Sequence, residues 1–297
     1  MNKSDKKQFK LILGAGNKDL DEISKIVKVY SLAGADVVDM NPSADVLDKV
    51  IVASESKMQY CVSYTVSGDI HSQKAVIYNS KCNKCGKCVQ ICPENAIKFC
   101  NDLVILDEKK CIGCEKCKCS AITYSSDAAQ NNWKNFKQLV KTYPIKIVEL
   151  HISSKNREEI LQKWKYVLDN FDGYYSICIN RTFYSNEQLI KMLDEMISMT
   201  DKDKVIIQAD GAPMTGGEND FKSTLQAVAC ADLVSKLGVK IFISGGTNAK
   251  TVELANLCEL EYEGISVGSY ARKIIKNKHF DEALLIAKKL VETVKNG

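Results

Sequence analysis

FKLILGAGNKDLDEISKIVKVYSLAGADVVDM, residues 9–40, reads as a strand, a helix and a second strand. Residues 9–13 and 36–40 are short apolar runs, and between them apolar side chains recur at helical spacing from 19 to 33. The same unit repeats along the chain. Further strands are expected at 60–66, 145–151, 174–179, 204–209, 239–244 and 264–267, and helices at 45–55, 127–142, 157–170, 186–198, 220–237, 251–260 and 281–294. Near-continuous apolar strands, each followed by a crossover helix, belong to a parallel sheet buried on both faces. Eight such units in 297 residues predict an α/β fold of the (β/α)8 TIM-barrel type, whose functional loops leave the C-terminal ends of the strands. An open doubly wound sheet is the alternative, and it asks for G-x-G-x-x-G after the first strand. Gly14-Ala15-Gly16-Asn17-Lys18-Asp19 lacks the third glycine.

One interruption breaks the alternation, between the third strand and its helix. There lies CNKCGKCVQICPENAIKFCNDLVILDEKKCIGCEKCKCSAI, residues 82–122, with nine of the thirteen cysteines. Cys82, Cys85, Cys88 and Cys92, followed by Pro93, form the C-x2-C-x2-C-x3-C-P run with which bacterial-type ferredoxins hold cubane iron–sulfur clusters. Three closely spaced thiolates wrap one cube, and the fourth reaches the other cluster. Thiolate is the soft ligand such clusters select. Lys81, Lys84, Lys87, Lys109, Lys110, Lys116 and Lys118 stand among the cysteines, where they offset cluster charge.

Cys111, Cys114 and Cys117 repeat the spacing, but this run closes on Cys119 in C-x-C and reaches its Ala121-Ile122 pair about one helical turn sooner than the first run reaches Ala96-Ile97. The default assignment gives one [4Fe-4S] cluster Cys82, Cys85, Cys88 and Cys119, and the other Cys92, Cys111, Cys114 and Cys117. Were Cys119 not a ligand, Cys100 or a non-cysteine group would take its place, or an iron would keep an open position for substrate. Disulfides need an oxidising compartment, and zinc ribbons use paired C-x2-C units set further apart. Between the runs, AIKFCNDLVILD reads as a hairpin turning at Asn101-Asp102. The expected division is therefore a barrel from 1–66 and 127–297 and a ferredoxin-like insertion from 67–126. An insertion in a βα loop must sit over the C-terminal face of the barrel.

Composition narrows the function classes. With 45% apolar and 26% charged residues the chain is of ordinary globular make-up, and a net charge of +4 makes no case for nucleic acid. No apolar run approaches the ~18 residues of a membrane span. The apolar residues 11–13 are too few for a signal peptide, so the expected setting is cytoplasmic and reducing. Cys61, Cys178, Cys230 and Cys258 lie in apolar contexts and read as inert buried thiols.

At the expected barrel mouth, strand seven ends in Ser244-Gly245-Gly246-Thr247 and strand eight in Val267-Gly268-Ser269. Phosphate-binding barrels use these two loops, where glycine lets backbone N–H groups approach the anion. The expected ligand is a phosphorylated small molecule or the phosphate of flavin mononucleotide (FMN), and Gly245, Gly246, Thr247, Gly268 and Ser269 are its candidate contacts. After strand six, QADGAPMTGG (208–217) is a long polar loop beginning at a carboxylate. Asp210 and Asp39 are the best candidates for acid–base or anchoring roles. Asn17, Asn41, Ser63, Tyr64, Glu149, His151, Asn180 and Arg181 are further polar residues at strand ends. No lysine is expected at the end of strand six or inside a strand as in a Schiff-base aldolase, which argues against that reaction. His71 and Lys74 lie where the chain passes from barrel to cysteine module, placed to meet a cluster or an anionic ligand.

Taken together, LILGAGNKDLDEI, VYSLAGADVVDM, DIHSQKA, the double cysteine motif, QADGAPMTGG and ISGGTN resemble the light-dependent period (LdpA-type) iron–sulfur proteins, first associated with cyanobacteria. The resemblance covers nearly the whole chain. It implies two [4Fe-4S] clusters and a redox-sensing or electron-transfer role, in cyanobacteria as an input to the circadian clock. The second cysteine run departs from that family's regular C-x3-C-P ending.

Three functional readings follow from the residues. The first is an iron–sulfur oxidoreductase passing electrons between its clusters, an electron-transfer partner and the ligand at the barrel mouth. Another is a non-catalytic redox sensor that signals to a partner. The third is an enzyme using a site-differentiated cluster for Lewis-acid or sulfur-transfer chemistry.

Overall fold

The computed structural model describes residues 6–55, 58–69, 73–125, 132–211 and 220–297. Strands β1 (Gln8–Ile12), β2 (Val37–Met40), β3 (Gln59–Thr65), β8 (Ile145–His151), β9 (Tyr174–Ile179), β10 (Val205–Asp210), β11 (Lys240–Ser244) and β12 (Gly264–Val267) pair in parallel and close into one barrel in that order. Around it run α1 (Leu20–Ala33), α2 (Ala44–Ala53), α4 (Phe136–Thr142), α5 (Arg157–Asn170), α6 (Asn186–Ser198), α7 (Asp220–Val234), α8 (Thr251–Leu257), α9 (Ser269–Ile275) and α10 (Phe280–Lys295). The TIM barrel expected from the alternating pattern is the observed fold.

Local chemistry sets the ends of these elements. Asp19 accepts from the Glu22 amide at the start of α1, and Gly34 closes that helix in the left-handed region at φ 92°. Ser185 and Gln188 form a reciprocal capping box on α6. The seven-residue α9, between the eighth strand and the long C-terminal helix, was not anticipated. It is too short to show a helical period, and Asn277 at φ 61° ends the segment. Residues 126–131, where the third predicted helix begins, lie outside the described residues.

Within the barrel, every second side chain of each strand points inward. Val37, Cys61, Ile147, Ile206 and Phe242 form an apolar plug toward the N-terminal end, with Gly264 small because a Cβ there would lie 2.6 Å from the Phe242 ring. One step further toward the C-terminal end the inward positions turn polar. Outward-facing residues pack against the helices, and Tyr64, expected at the mouth, is one of them. Its ring lies 4.5 Å from that of Trp133 and 5.1 Å from that of Phe136.

The cysteine module leaves the barrel after β3. Its framework is β4 (Lys74–Ile77) paired antiparallel with β7 (Ile122–Ser125), and the hairpin of β5 (Ile97–Cys100) and β6 (Leu103–Leu106). Asn101 (φ 44°) and Asp102 (φ 65°) make the hairpin turn, as read from the sequence. Ala75, Ala96, Cys111 and Ile122 form a small core of their own. Helix α3 (Lys87–Ile91) carries Cys88 and leads to Cys92 within the first cysteine run, and no helix lies between Cys117 and Cys119 of the second, which is the missing turn seen in the spacing.

Candidate metal centre and barrel mouth

The two cysteine runs share a backbone. In the first, φ is positive at Lys84 (56°) and Gly86 (75°); in the second, at the matching positions Gly113 (67°) and Glu115 (59°). Such left-handed turns bend each loop back so that its thiols converge. Cys92, Cys111, Cys114 and Cys117 line one cavity of about 330 Å3, so the last cysteine of the first run joins the three of the second. Cys88 lies in the electrostatic field of Cys82 and Cys119. Cys85 and Cys119 are exposed, whereas Cys111 is buried. The four soft sulfurs of this cavity, with Cys92 crossing over from the first run, are a donor set that fits a cubane cluster. Burial raises the thiols of Cys88, Cys114 and Cys117, so ligation must displace their protons. Tyr124 on β7 places its hydroxyl 3.2 Å from the Cys117 sulfur, a contact the sequence reading missed.

The second run is seated on the loop that follows β1. Lys74 Nζ donates to the carbonyl of Gly16 at 2.6 Å and to that of Cys111. Lys18 N donates to Lys109 O at 3.3 Å, and Lys110 lies 3.9 Å from Asp19. Gly113 packs so closely that a Cβ would come within 2.2 Å of the Gln73 carbonyl. The cysteine module therefore covers the C-terminal face of the barrel. Burial pulls Lys74 below the usual lysine range. Its ammonium acts as a tether between loop and module and does not line the mouth. His71 lies outside the described residues.

The mouth itself is a cavity of about 830 Å3. Gly245, Gly246, Thr247, Gly268 and Ser269 all line it, as do Asp39 and Asp210. Gly245 (φ 70°) and Gly246 (φ 82°) need their missing side chains, since a Cβ on Gly245 would fall onto the Asp210 carboxylate. Arg272, on α9, reaches the same cavity and donates to Leu13 O (3.1 Å) and Ser269 Oγ (3.3 Å). Sequence reasoning missed it because α9 was not expected, although a basic residue just after Gly268-Ser269 was visible. Glycine-rich loops after the seventh and eighth barrel strands, with a guanidinium beside them, are suited to an oxyanion.

Beneath the cavity lies a polar floor that the sequence showed only in part. Lys10 Nζ donates to Glu149 Oε2 (2.6 Å) and Gln208 Oε1 (2.7 Å), with all three residues buried. This corrects the expectation that no lysine lies inside a strand, since Lys10 sits within β1 and points into the barrel. The signal was the single charge inside FKLIL. A Schiff-base role still does not follow. Burial would lower the ammonium, but the carboxylates of Glu149 and Asp39 around it hold it above the usual lysine range, so Lys10 stays charged and is a poor nucleophile. Glu149 also accepts from Ser176 Oγ (2.8 Å) and Gln208 Nε2 (2.8 Å), with His151 Nε2 at 3.2 Å. Burial would raise Glu149, yet Lys10 and His151 hold it well below the ordinary carboxylate range.

Glu149, His151 and Cys178 bring ligand atoms within 4.8 Å of one another. Glu149 is already saturated by donors and the Lys10 ammonium stands beside it, so a cation there would meet repulsion. Burial pushes Cys61 and Cys178 well up and Cys230 up to about 12, consistent with inert thiols. Cys258 departs from that expectation, for it caps the C-terminus of α8 and is exposed.

Asp39 accepts from Ser63 Oγ at 2.5 Å, and burial raises its carboxyl to about 6, with Glu149 adding to the rise and Lys10 opposing it. The folded value lies above the unfolded ~3.9, so Asp39 contributes stability below pH ~4 that is lost as pH rises through about 6. Asp39→Asn is expected to remove a decline on the order of 3 kcal/mol across that window, measured by urea unfolding against pH. An unchanged pH profile would refute the assignment.

Comparisons with known proteins agree with this architecture. A 4Fe-4S binding domain matches residues 75–98, after β3. The chain is 26% identical over 288 residues to Light dependent period A of Synechococcus elongatus, covering 89% of this chain and 80% of that protein. Among solved structures, a tryptophan synthase of Mycobacterium tuberculosis superposes with a TM-score of 0.54 at 9% identity, covering 99% of this chain and 94% of the other, a likeness of fold alone. No helix among the described residues is long and apolar enough to cross a membrane. Residues 139–292, more than half of the chain, match the Light dependent period A C-terminal domain. This barrel with its cysteine module belongs to the Light dependent period A family.

Proposed function

We propose that the chain is an iron–sulfur oxidoreductase of a reducing, cytoplasmic setting that holds two [4Fe-4S] clusters and relays electrons between a partner and a phosphate-bearing or flavin ligand in the barrel mouth. The observation that carries this reading is the seating of the second cysteine run on the mouth, with Lys74 joined to both Gly16 and Cys111. Bound clusters would each supply a one-electron carrier. Cys82, Cys85, Cys88 and Cys119 would hold one, and Cys92, Cys111, Cys114 and Cys117 the other. Gly245, Gly246, Thr247, Gly268 and Ser269 offer the anion backbone N–H groups, and Arg272 offers charge. Asp210 orients the ligand, while Asp39, with its carboxyl near 6, is suited to exchange a proton at neutral pH.

The test is anaerobic purification with iron and sulfide quantification, EPR with and without reductant, and mass spectrometry of released small molecules. About eight irons per chain and a released phosphorylated compound or FMN are expected. A colourless, iron-poor protein would end the proposal. A redox-sensor reading is favoured by one observation, the exposure of Ile91, Phe99, Leu103 and Ile105 on the module, which suits a partner surface. A ligand-free mouth in the purified protein would turn the balance toward it.

Tyr124 bears on the potential of the second cluster. A hydroxyl donating to the Cys117 thiolate favours the more negatively charged reduced state. Tyr124→Phe is expected to lower the potential of one cluster by a few tens of millivolts and leave the other unchanged, as read by EPR-monitored titration. A rise, or an equal shift in both, would remove Tyr124 from this role.

A further inference from the structure

Ile112 lines three neighbouring pockets, of which one is an open groove bearing Lys25, Lys116 and Lys273. It lines the mouth together with Arg272 and the glycine loops, and it lines the cage formed by Cys92, Cys111, Cys114 and Cys117. It directly follows the buried Cys111, whose carbonyl is held to the mouth loop by Lys74. The other set of cysteines has no such position, since Cys85 and Cys119 face solvent and neither lines the mouth. One apolar side chain thus stands between the place for an anion and the place for the second cluster.

We infer that this wall makes the mouth a redox-responsive anion site, in which a phosphate group binds more tightly when the second cluster is oxidised than when it is reduced. The inference rests on the proposed reading of the mouth and of the cysteine cage. Reduction adds one electron to a cluster that is already anionic with its thiolates. With only the half-buried Ile112 between cage and mouth, the separation is short, so that added charge repels the bound anion even where nearby water and lysines screen it in part. Linkage makes the effect reciprocal, so a bound phosphate must lower the potential of the second cluster by the same free energy. The first cluster, close to water and counterions, is screened from the mouth. Release of the anion on reduction requires no movement of the fold.

The experiment uses the full chain with its clusters and inorganic phosphate as the probe, at constant ionic strength. Phosphate affinity is measured anaerobically by calorimetry on the oxidised protein and on protein reduced photochemically, and both clusters are titrated by EPR with and without saturating phosphate. Cys114→Ser and Cys85→Ser identify which signal belongs to which cysteine set. A roughly fivefold or greater weakening of phosphate binding on reduction is expected, with a downward shift confined to the cluster that Cys114→Ser perturbs. Equal phosphate affinity in both redox states would overturn the inference and leave the mouth reading standing. So would an equal shift of both clusters, which marks a bulk ionic effect. Absence of phosphate binding in either state would overturn the mouth reading and the inference together.

Discussion

Cys92→Ser is expected to abolish the cluster of the second cysteine run, although Cys92 lies in the first. Its sulfur shares the 330 Å3 cage with Cys111, Cys114 and Cys117, and the electrostatic field at Cys114 includes Cys92. Iron and inorganic sulfide should fall by about half, and the EPR signal lost should be the one that Cys114→Ser removes. Cys85→Ser should remove the other. Cluster binding is also folding free energy for the module, whose own core is small, so the Cys92 variant should expose residues 73–125 to proteolysis before the barrel. If Cys92→Ser and Cys85→Ser erased the same signal, the crossed ligation would be wrong.

Glu149→Ala is expected to give the largest loss of stability among single changes in the barrel. Lys10 would keep its charge in a buried site, left with the Gln208 side-chain carbonyl as the remaining one of its two acceptors. Removing one partner of a buried ion pair costs ~3–5 kcal/mol. For a barrel of this size that amounts to a fall in melting temperature on the order of 10 °C. The double variant Lys10→Met, Glu149→Leu should recover most of the loss, because apolar replacements need no partner. Additive losses in the double variant would show that the two residues do not act as a pair.

The pH dependence of the pair has a defined sign. Glu149 is held below its unfolded value, so its contribution is present above pH ~4.3 and fades as pH falls further toward the folded value. Lys10 is held above its unfolded value, so its contribution is complete below pH ~10.4 and fades as pH rises beyond. Between those limits the pair is intact, and the decline between pH ~4 and about 6 belongs to Asp39.

The barrel was legible because its strands are buried on both faces and leave near-continuous apolar runs, while the helices between them keep their own period. The cysteine spacing was legible because cluster ligation tolerates little variation along the chain. Tyr64 shows where a strand-end rule fails. The side chain of a strand end can turn either way, and only the barrel's tilt and register decide which. Arg272 escaped because a seven-residue helix carries no period of its own.

By itself the sequence determined the fold class, the placement of the cysteine module after the third barrel strand and the glycine loops of the mouth, since each is local in the chain. Only the tertiary structure decided that Cys92 joins the second run, that Lys10 and Glu149 meet across the barrel, and that Ile112 stands between cage and mouth. Those are contacts between residues 19 to 139 positions apart, or between an insertion and its host, and they arise from barrel closure and packing.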